Sequence, residues 1–599
     1  PAAIVSAQPG DPAPSTTTFF TPITTETGVD FTHGSTKWLS KFRRRKSLDQ
    51  FPTFSGGGVA AEDINNDSHL DLLFVGGTGN GLYLNDGQGR FRDVTTQAGI
   101  NFRRADGSYG EARQAIITDF DNDGLQDILI VYNRDHHRLY RNLGGVEFED
   151  VTAHTGLGGE GLISGPVTVF DFDNDGLLDV YLTCFGDYLQ GAIPHEERNN
   201  TNALPNRLFR NLGNLRFADV TAGSGTDDRG WCQAVTHTDF DRDGRQDIIV
   251  ANDFGCNALL RNLGAGRFEN ISPALQITKA YHSMNVGITD LNRDRYPDVY
   301  ISNIATMVKD NKYVLPDVNT PLKFNAKAMA NMLVKEANIL YLSESDESGL
   351  VQYQPSMDVE RGETSTGWAW DAEFFDFDND GDDDLYVVNG TNDYNIFQDV
   401  LKVEQDGQQT FYHLHYQRES NVFFVNEGGK LKNQSGRSGA DFKGNSRSVA
   451  YLDWDNDGDL DIAINNFHDP ATLLQNNSQL RANHWIKVRL VGDPARGSNR
   501  DAIGARIEAT GSDSLYLLRE VQGGSGYLSM EPKEQHIGLG KATSVDLRIT
   551  WPNGQVQDVM NLSANHCYLV DQAEAGEEGF QAMGYQQGKL VRPGVWQRN

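Results

Sequence analysis

The chain has 599 residues and sets 83 acidic against 52 basic side chains, a net charge of −31. Phosphate contacts need Lys and Arg, so this balance argues against a nucleic-acid partner, and no apolar run approaches the ~20 residues of a membrane helix. With 38% hydrophobic residues, 62 glycines and only four cysteines, the composition fits a turn-rich β protein better than a helical one or a disulfide scaffold.

The opening residues PAAIVSAQPGDPAPSTTT read as a flexible leader (1–18) left by signal-peptide removal, which favours an extracellular or periplasmic location. Phe19–Phe31 (FFTPITTETGVDF) then mimics a later segment, Phe91–Phe102 (FRDVTTQAGINF). The run Lys41–Lys46 (KFRRRK) stands out on an acidic chain; it is either a solvated loop or a grip for an anionic glycan or acidic protein.

From there an acidic nonapeptide repeats seven times. Its oxygen-bearing residues fall at positions 1, 3, 5 and 9. The first copy supplies Asp63, Asn65, Asp67 and Asp71, and the second Asp119, Asp121, Asp123 and Asp127. The third supplies Asp171, Asp173, Asp175 and Asp179, and the fourth Asp239, Asp241, Asp243 and Asp247. The fifth gives Asp290, Asn292, Asp294 and Asp298, the sixth Asp376, Asp378, Asp380 and Asp384, and the seventh Asp453, Asp455, Asp457 and Asp461. Position 6 is Gly except for Ser68 and Arg295. Four like charges in nine residues repel unless a cation draws them together. Hard cations take six to eight oxygens at flexible spacing, and Gly allows the sharp turn. Calcium suits this set better than magnesium, which demands a tighter octahedron, and no Glu follows at the twelfth position of a helix-flanked calcium loop. A plain Asp/Asn/Gly turn would explain one copy, not seven in phase. The expectation is five to seven calcium ions per chain, with copies one and five the weakest.

The flanks of each copy are β-branched or alternating, and a second hairpin follows, as in LYLNDGQGRFRDVT (Leu82–Thr95) or LYRNLGGVEFEDVT (Leu139–Thr152). Each unit is therefore four antiparallel strands, and such units in series are propeller blades. The seventh unit stops after its third strand at Ala471–Asn477, so the N-terminal segment is expected to supply the fourth and close the ring. The expected fold is all-β: a seven-bladed propeller over 19–476, a β-rich domain over 477–571 and a tail over 572–599.

With the acidic loops joining the first two strands of each blade, they lie on the bottom face. The top then receives the long insertions 184–203, 305–335 and 391–418, along with Ser343–Thr366. Within the second of these, PLKFNAKAMANMLVKEAN has the spacing of a short amphipathic helix. Residues just before the first strands or after the second strands should ring the axial mouth. Candidates for ligand binding are Glu111, Arg113, Trp231, His282, Trp368, Trp370, Arg447, His136 and His468. The alternative is that they fill the channel and pair with neighbouring blades. His33, His136, His137, His282 and His468 show no HxH or HExxH spacing, which weighs against a transition-metal site. No phosphate-binding loop or Gly-x-Ser-x-Gly elbow is present, and GSGYLS (Gly524–Ser529) reads as a turn. Cys232 and Cys256 flank the fourth loop and form either a disulfide or two buried thiols.

The nonapeptide within a four-stranded unit resembles the FG-GAP/VCBS repeats of integrin α-subunit propellers. After it, NHWIKVRLVG (Asn483–Gly492), SNRDAIGARIEA (Ser498–Ala509), REVQGGSGYLSM (Arg519–Met530), HIGLG (His536–Gly540) and DLRITWPNGQVQ (Asp546–Gln557) resemble an ASPIC/UnbV domain. The whole architecture is similar to the cartilage acidic protein family and its bacterial relatives. That resemblance implies a secreted, calcium-binding propeller with no secure enzymatic activity. The expected role is a binding or adhesion module whose top face recognises a protein or glycan. The alternatives are an extracellular enzyme, for example a polysaccharide lyase or hydrolase at the axial mouth, and a structural subunit of a surface assembly.

Overall fold

The structure, a computed structural model, describes residues 18–36, 56–187, 190–192, 194, 199–278, 281–304, 306–309, 312–314, 333–336, 338–345, 351–356, 366–390, 400–405, 408–413, 419–478, 483–574, 580–586 and 589–591. The leader, the basic run Lys41–Lys46 and most of the expected amphipathic helix fall outside them. The described stretch Leu333–Glu336 of that helix is instead a strand paired antiparallel with Thr306–Lys309, so there the helical spacing gives way to sheet pairing.

Seven blades of four antiparallel strands follow one another along the chain, and the blade-one sheet gains a fifth, parallel strand, Ser529–Met530. Blade two shows the plan: Glu111–Thr118 runs down the axis, the acidic loop reverses the chain into Asp127–Asn133, and Arg138–Asn142 and Phe148–Asp150 complete the sheet. The innermost strands of blades one to seven start at Val59, Glu111, Ser164, Cys232, Ser283, Ala369 and Ser446. Each packs on the next, and the seventh packs back on the first, which closes the ring. Closure comes from the N-terminus, as expected. Phe20–Pro22 pairs antiparallel with Thr472–Asn476 as the outer strand of blade seven. Thr24–Thr27 then makes the one-turn helix, ended by left-handed Gly28, that follows the fourth strands at Thr95–Ala98 and Thr152–Thr155.

The inner strands of blades two to seven carry a bulge near the start. Each bulge takes a residue out of register: Arg113, Gln233, Met284, Trp370 and Arg447 sit at equivalent places in blades two, four, five, six and seven. All five are fully buried. A bulge re-aims its side chain, and here it fixes what fills the upper channel.

The C-terminal domain is two facing sheets. One orders Gln535–Gly540, His484–Val491, His566–Asp571, Phe580–Gln586 and Lys589–Val591; the other orders Tyr516–Glu520, Arg506–Gly511, Ser544–Thr550 and Val556–Ser563. The expected tail beyond Asp571 is thus not only tail: Phe580–Gln586 pairs along His566–Asp571 and extends the sheet. The buried side chains of this domain, among them Ile486, Val488, Ile507 and Ile549, form one continuous apolar core with blades one to four. The domain is therefore docked on the acidic-loop face.

Candidate metal centres

Loop two shows how the sequence builds a site. Left-handed Asn122 and Gly124 turn the chain. The Asp119 carboxylate accepts from the backbone N–H of Asp123 (3.0 Å) and Gly124 (2.7 Å), and Asp123 accepts from Leu125 (3.0 Å). Asp127, at the base of the second strand, accepts from Phe120 (3.2 Å) and from Asn142 on the third strand (2.9 Å). The loop fixes its own carboxylates with backbone donors and aims the remaining oxygens inward.

In five loops those oxygens converge. One oxygen from each of Asp119, Asp121 and Asp127 lies within 4.8 Å of the others. The same holds for Asp171, Asp173 and Asp179, for Asp239, Asp241 and Asp243, for Asp376, Asp378 and Asp384, and for Asp453, Asp455 and Asp461. Copies one and five form no such group among the described residues; these are the copies with Asn65 and Asn292 at position 3 and no Gly at position 6. Burial is the main cause of the raised carboxyl pKa values. It pushes Asp127 up to about 8 and Asp63 and Asp171 up to about 7, with neighbouring carboxylates adding to it. Several inward oxygens have no hydrogen-bond donor, among them Asp173 Oδ1, Asp241 Oδ1 and Asp455 Oδ1. Buried, repelling, donor-free oxygens with no soft ligand fit a hard cation of the calcium class. The residues at positions 1, 3, 5 and 9 would hold it, and bound calcium would supply charge neutralisation rather than chemistry.

Arginines already offset part of the charge in three loops. Arg141 bridges Asp121 (3.0 Å) and Asp123 (2.9 Å), Arg210 bridges Asp173 (2.8 Å) and Asp175 (3.0 Å), and Arg261 meets Asp241 at 2.6 Å.

Two tie systems join the loops, and neither is apparent from the sequence. Asn at position 4 donates to the position-6 carbonyl of the next loop: Asn66 to Gly124 (3.0 Å), Asn122 to Gly176 (3.0 Å), Asn174 to Gly244 (3.4 Å) and Asn379 to Gly458 (2.8 Å). In blade five Arg293 does the same to Gly381 (2.9 Å). An Asn on the third strand donates both to its own loop and to the loop before it, as Asn142 does to Gln126 (2.9 Å) and Ile64 (3.1 Å), and Asn211 to Leu178 (3.0 Å) and Phe120 (3.0 Å). The signal lies in the recurring Asn of the RNLG segments, which by itself reads only as turn chemistry. Asn142→Ala strands two buried carbonyls and is expected to cost ~1–3 kcal/mol in chemical denaturation; a loss below about 0.5 kcal/mol would show that the tie carries no stability.

Residues just before several loops tie the propeller to the C-terminal domain, directly or through one further side chain. Glu62 pairs with Arg489 and with Lys533 (3.0 Å), Thr118 donates to Asp501 (2.6 Å), and Thr289 donates to Asp383 (2.8 Å), which Arg519 holds at 2.6 Å. Lys487 pairs with the loop-seven carboxylate of Asp453.

The segment expected to be a turn, Gly524–Ser529, is the axial plug. It rises from the C-terminal domain into the channel: Val169 donates to Gly523 O (2.8 Å) and Gln114 to Ser529 O (3.0 Å), and Ser529–Met530 pairs parallel with Val59–Ala60. Tyr527 ends against Trp370 (ring centroids 5.1 Å) and beneath Arg113. Spacing along the chain carries no information about this insertion, because the plug's partners lie in another domain, 415 residues away in sequence for Gln114.

The top-face candidates divide accordingly. Glu111, Arg113, Trp231, Trp370 and Arg447 are fully buried, and Trp368 nearly so. Arg447 stacks on Trp370 (4.6 Å), Trp370 donates to Gly390 O (2.7 Å), and Trp231 donates to Asn202 (2.8 Å). Glu111 accepts from Thr36 N (2.8 Å), and burial pushes its carboxyl up to about 8. His282 holds buried Asp253 (2.6 Å), while His136, 3.6 Å from Glu160, and His468, stacked on Phe467, are exposed. The structure therefore does not gather these nine into one open site. The four cysteines are free; Cys232 is buried and Cys256 exposed, so neither expectation for that pair describes it.

Fold and loops together define the class: a propeller of FG-GAP-like repeats followed by an ASPIC/UnbV domain. The FG-GAP-like repeat family matches residues 119–182 and 239–301, and the ASPIC and UnbV family matches 495–577. Homologues of the chain are named cartilage acidic protein 1. The Mus musculus protein is 22% identical over 538 residues, covering 85% of this chain and 72% of its own length. The Xenopus tropicalis protein is 24% identical over 532 residues (83% and 61%), and the Homo sapiens protein 21% over 538 (85% and 70%). Among solved structures, an Agrocybe aegerita lectin described as recognising non-reducing terminal N-acetylglucosamine aligns at TM-score 0.36 and 17% identity, over 64% of this chain and 83% of its own. PorZ, a type-IX secretion surface component of Porphyromonas gingivalis, aligns at TM-score 0.33 and 9% identity, over 83% and 58%.

Proposed function

We propose that this chain is an exported, calcium-stabilised binding or adhesion module whose top face takes a protein or glycan. The observation that carries this reading is the filled axis. Tyr527, Trp370, Arg113 and Arg447 occupy the channel with their own packing, so a ligand meets a broad face rather than an axial cleft. The calcium loops and the C-terminal domain take the opposite face, which leaves the insertion-bearing face for a partner. An extracellular or periplasmic setting, where calcium is plentiful, would keep such loops loaded, and no helix among the described residues is long and apolar enough to cross a membrane.

The test is binding of the full chain to an array of glycans and matrix proteins in calcium, beside a variant lacking 391–418. Specific binding that weakens by about tenfold or more in the variant, a change of about 1.4 kcal/mol, with calcium content unchanged, is expected. Turnover of a polysaccharide by the intact chain would replace the binding reading with the enzymatic one.

A further inference from the structure

Three carboxylates outside the seven loops meet where the plug enters the propeller. Asp371 and Glu373 stand on the inner strand Ala369–Phe375 of blade six, and Glu531 follows the plug. All three are at least nine-tenths buried, and among the described residues none forms an ion pair with Lys or Arg. A buried carboxylate left without a counter-charge is among the costliest groups a protein can hold.

A neutral group points at the same spot. Asn285, on the inner strand Ser283–Thr289 of blade five, is fully buried. Its Nδ2 donates to Ala372 O (2.6 Å), which fixes the amide, while its Oδ1 has no hydrogen-bond donor. Glu373 Oε1 and Glu531 Oε1 have none either. Three oxygens crowd the plug at one residue: a Cβ placed on Gly526 would lie 2.4 Å from Asn285 Oδ1, 2.6 Å from Glu373 Oε1 and 2.9 Å from Asp371 Oδ1, while Glu531 lines the same cavity as Glu373. Gly526, at φ +59°, is what lets these oxygens approach the plug backbone so closely.

The surroundings hold the oxygens in position. Ser525 Oγ donates to Glu531 Oε2, and Asp371 accepts from the backbone N–H of Ala372 (3.0 Å), Tyr527 (3.2 Å) and Val449 (3.0 Å). A cavity of about 120 Å³, lined by Glu373, Ser525, Glu531 and His536, opens beside them and has room for water ligands. Burial raises all three carboxyls above their ordinary range, and neighbouring carboxylates add to it at Asp371 and Glu373.

We propose that Asp371, Glu373, Glu531 and Asn285 form an additional, axial cation site, taking one hard divalent ion of the calcium class, that locks the C-terminal plug into the propeller. The donors are all oxygens, three of them ionisable, in the number and kind that calcium takes when water completes the shell. Two of them come from blade six, one from blade five and one from the plug, so the ion ties three separate stretches of chain across the interface. None of these residues belongs to a nonapeptide, so the site goes beyond the calcium-loop reading and stands apart from the binding role.

The measurement is anomalous difference density near the calcium edge in crystals of the full chain grown in calcium. Metal counting by native mass spectrometry then compares wild type with Glu373→Gln/Glu531→Gln. An anomalous peak between Asn285 Oδ1 and Glu373 Oε1, and one ion fewer per chain in the double variant, are expected. A density without anomalous signal there, with peaks still present in the loops, would mean that water or shared protons satisfy these carboxylates and would overturn the proposal. So would an unchanged metal count in a folded double variant. If the double variant does not fold, the wild-type density decides alone. Absence of peaks from the loops would instead count against the loop assignment, so the two failures are distinguishable.

Discussion

Stripping calcium from this chain at about pH 8 is expected to lower its melting temperature by more than about 10 °C, and the loss is expected to shrink as the pH is lowered. The reason lies in the loop carboxylates. A carboxyl whose folded pKa is raised binds its proton more tightly in the folded state. Its stabilising contribution is therefore complete below the unfolded value of about 3.9 and is lost as pH rises through the folded value. Burial puts those folded values at about 8 for Asp127 and about 7 for Asp63, Asp171 and Asp239 in the metal-free protein. Each tenfold change in proton affinity is worth about 1.4 kcal/mol, and a folded domain holds only ~5–15 kcal/mol in total. A few loops ionised without a cation would therefore consume most of the net stability. Calorimetry in millimolar calcium and in chelator, at about pH 5 and about pH 8, reads the effect. Superimposable melts in calcium and chelator at both pH values would remove the structural role of the loops.

Lys533→Met is expected to cost ~3–5 kcal/mol, the largest effect of any single charge removal in this chain. The Lys533 ammonium is fully buried and makes three contacts across the domain interface, to Glu62 (3.0 Å), Ile117 O (2.8 Å) and Gln126 Oε1 (2.8 Å), and one within its own domain, to Asp501 (3.4 Å). Methionine fits the volume but leaves Glu62 and Asp501 facing each other with only Arg489 between them. Arg489 and Lys533 together hold both acids ionised: they keep Glu62 below its usual range against its burial, and Asp501 down at about 2. Adding Glu62→Gln to Lys533→Met should recover part of the loss, because the uncompensated charge goes with it. A double-mutant cycle in denaturant with a coupling energy near zero would mean that the pair acts independently and that the interface is held by its apolar core alone.

The blades and the loops were legible because their physics is local. A nonapeptide that alternates carboxylates with turn formers between two β-branched runs dictates its own hairpin, and seven copies in phase dictate a ring. The closing strand could be read for the same reason, since Phe19–Phe31 repeats a fourth-strand pattern found elsewhere in the chain. The expectation that copies one and five bind most weakly rests on Asn65 and Asn292, which lack the charge of the Asp they replace.

What was missed lies between units. Asn122 and Asn142 looked like turn residues because each does sit at a turn, but their amides bond to neighbouring loops more than fifty residues away. Arg113, Trp370 and Arg447 looked like a binding mouth because Trp and Arg are common in binding sites; bulges turn them inward and Tyr527 covers them from below. Phe580–Gln586 looked like tail because its partner strand, not its own composition, decides that it pairs.

The blades, their number, their order, the ring closure and the inward-facing carboxylates are all written in the amino-acid order, since each is encoded within one hairpin or one repeat. Tertiary contacts alone decided that the C-terminal domain caps the loop face, that its Gly524–Ser529 segment fills the axis, and that Asn285, Asp371 and Glu373 meet Gly526 there. Those contacts join residues separated by up to several hundred positions, and no local pattern records a pairing whose energy is gained only when two finished surfaces come together.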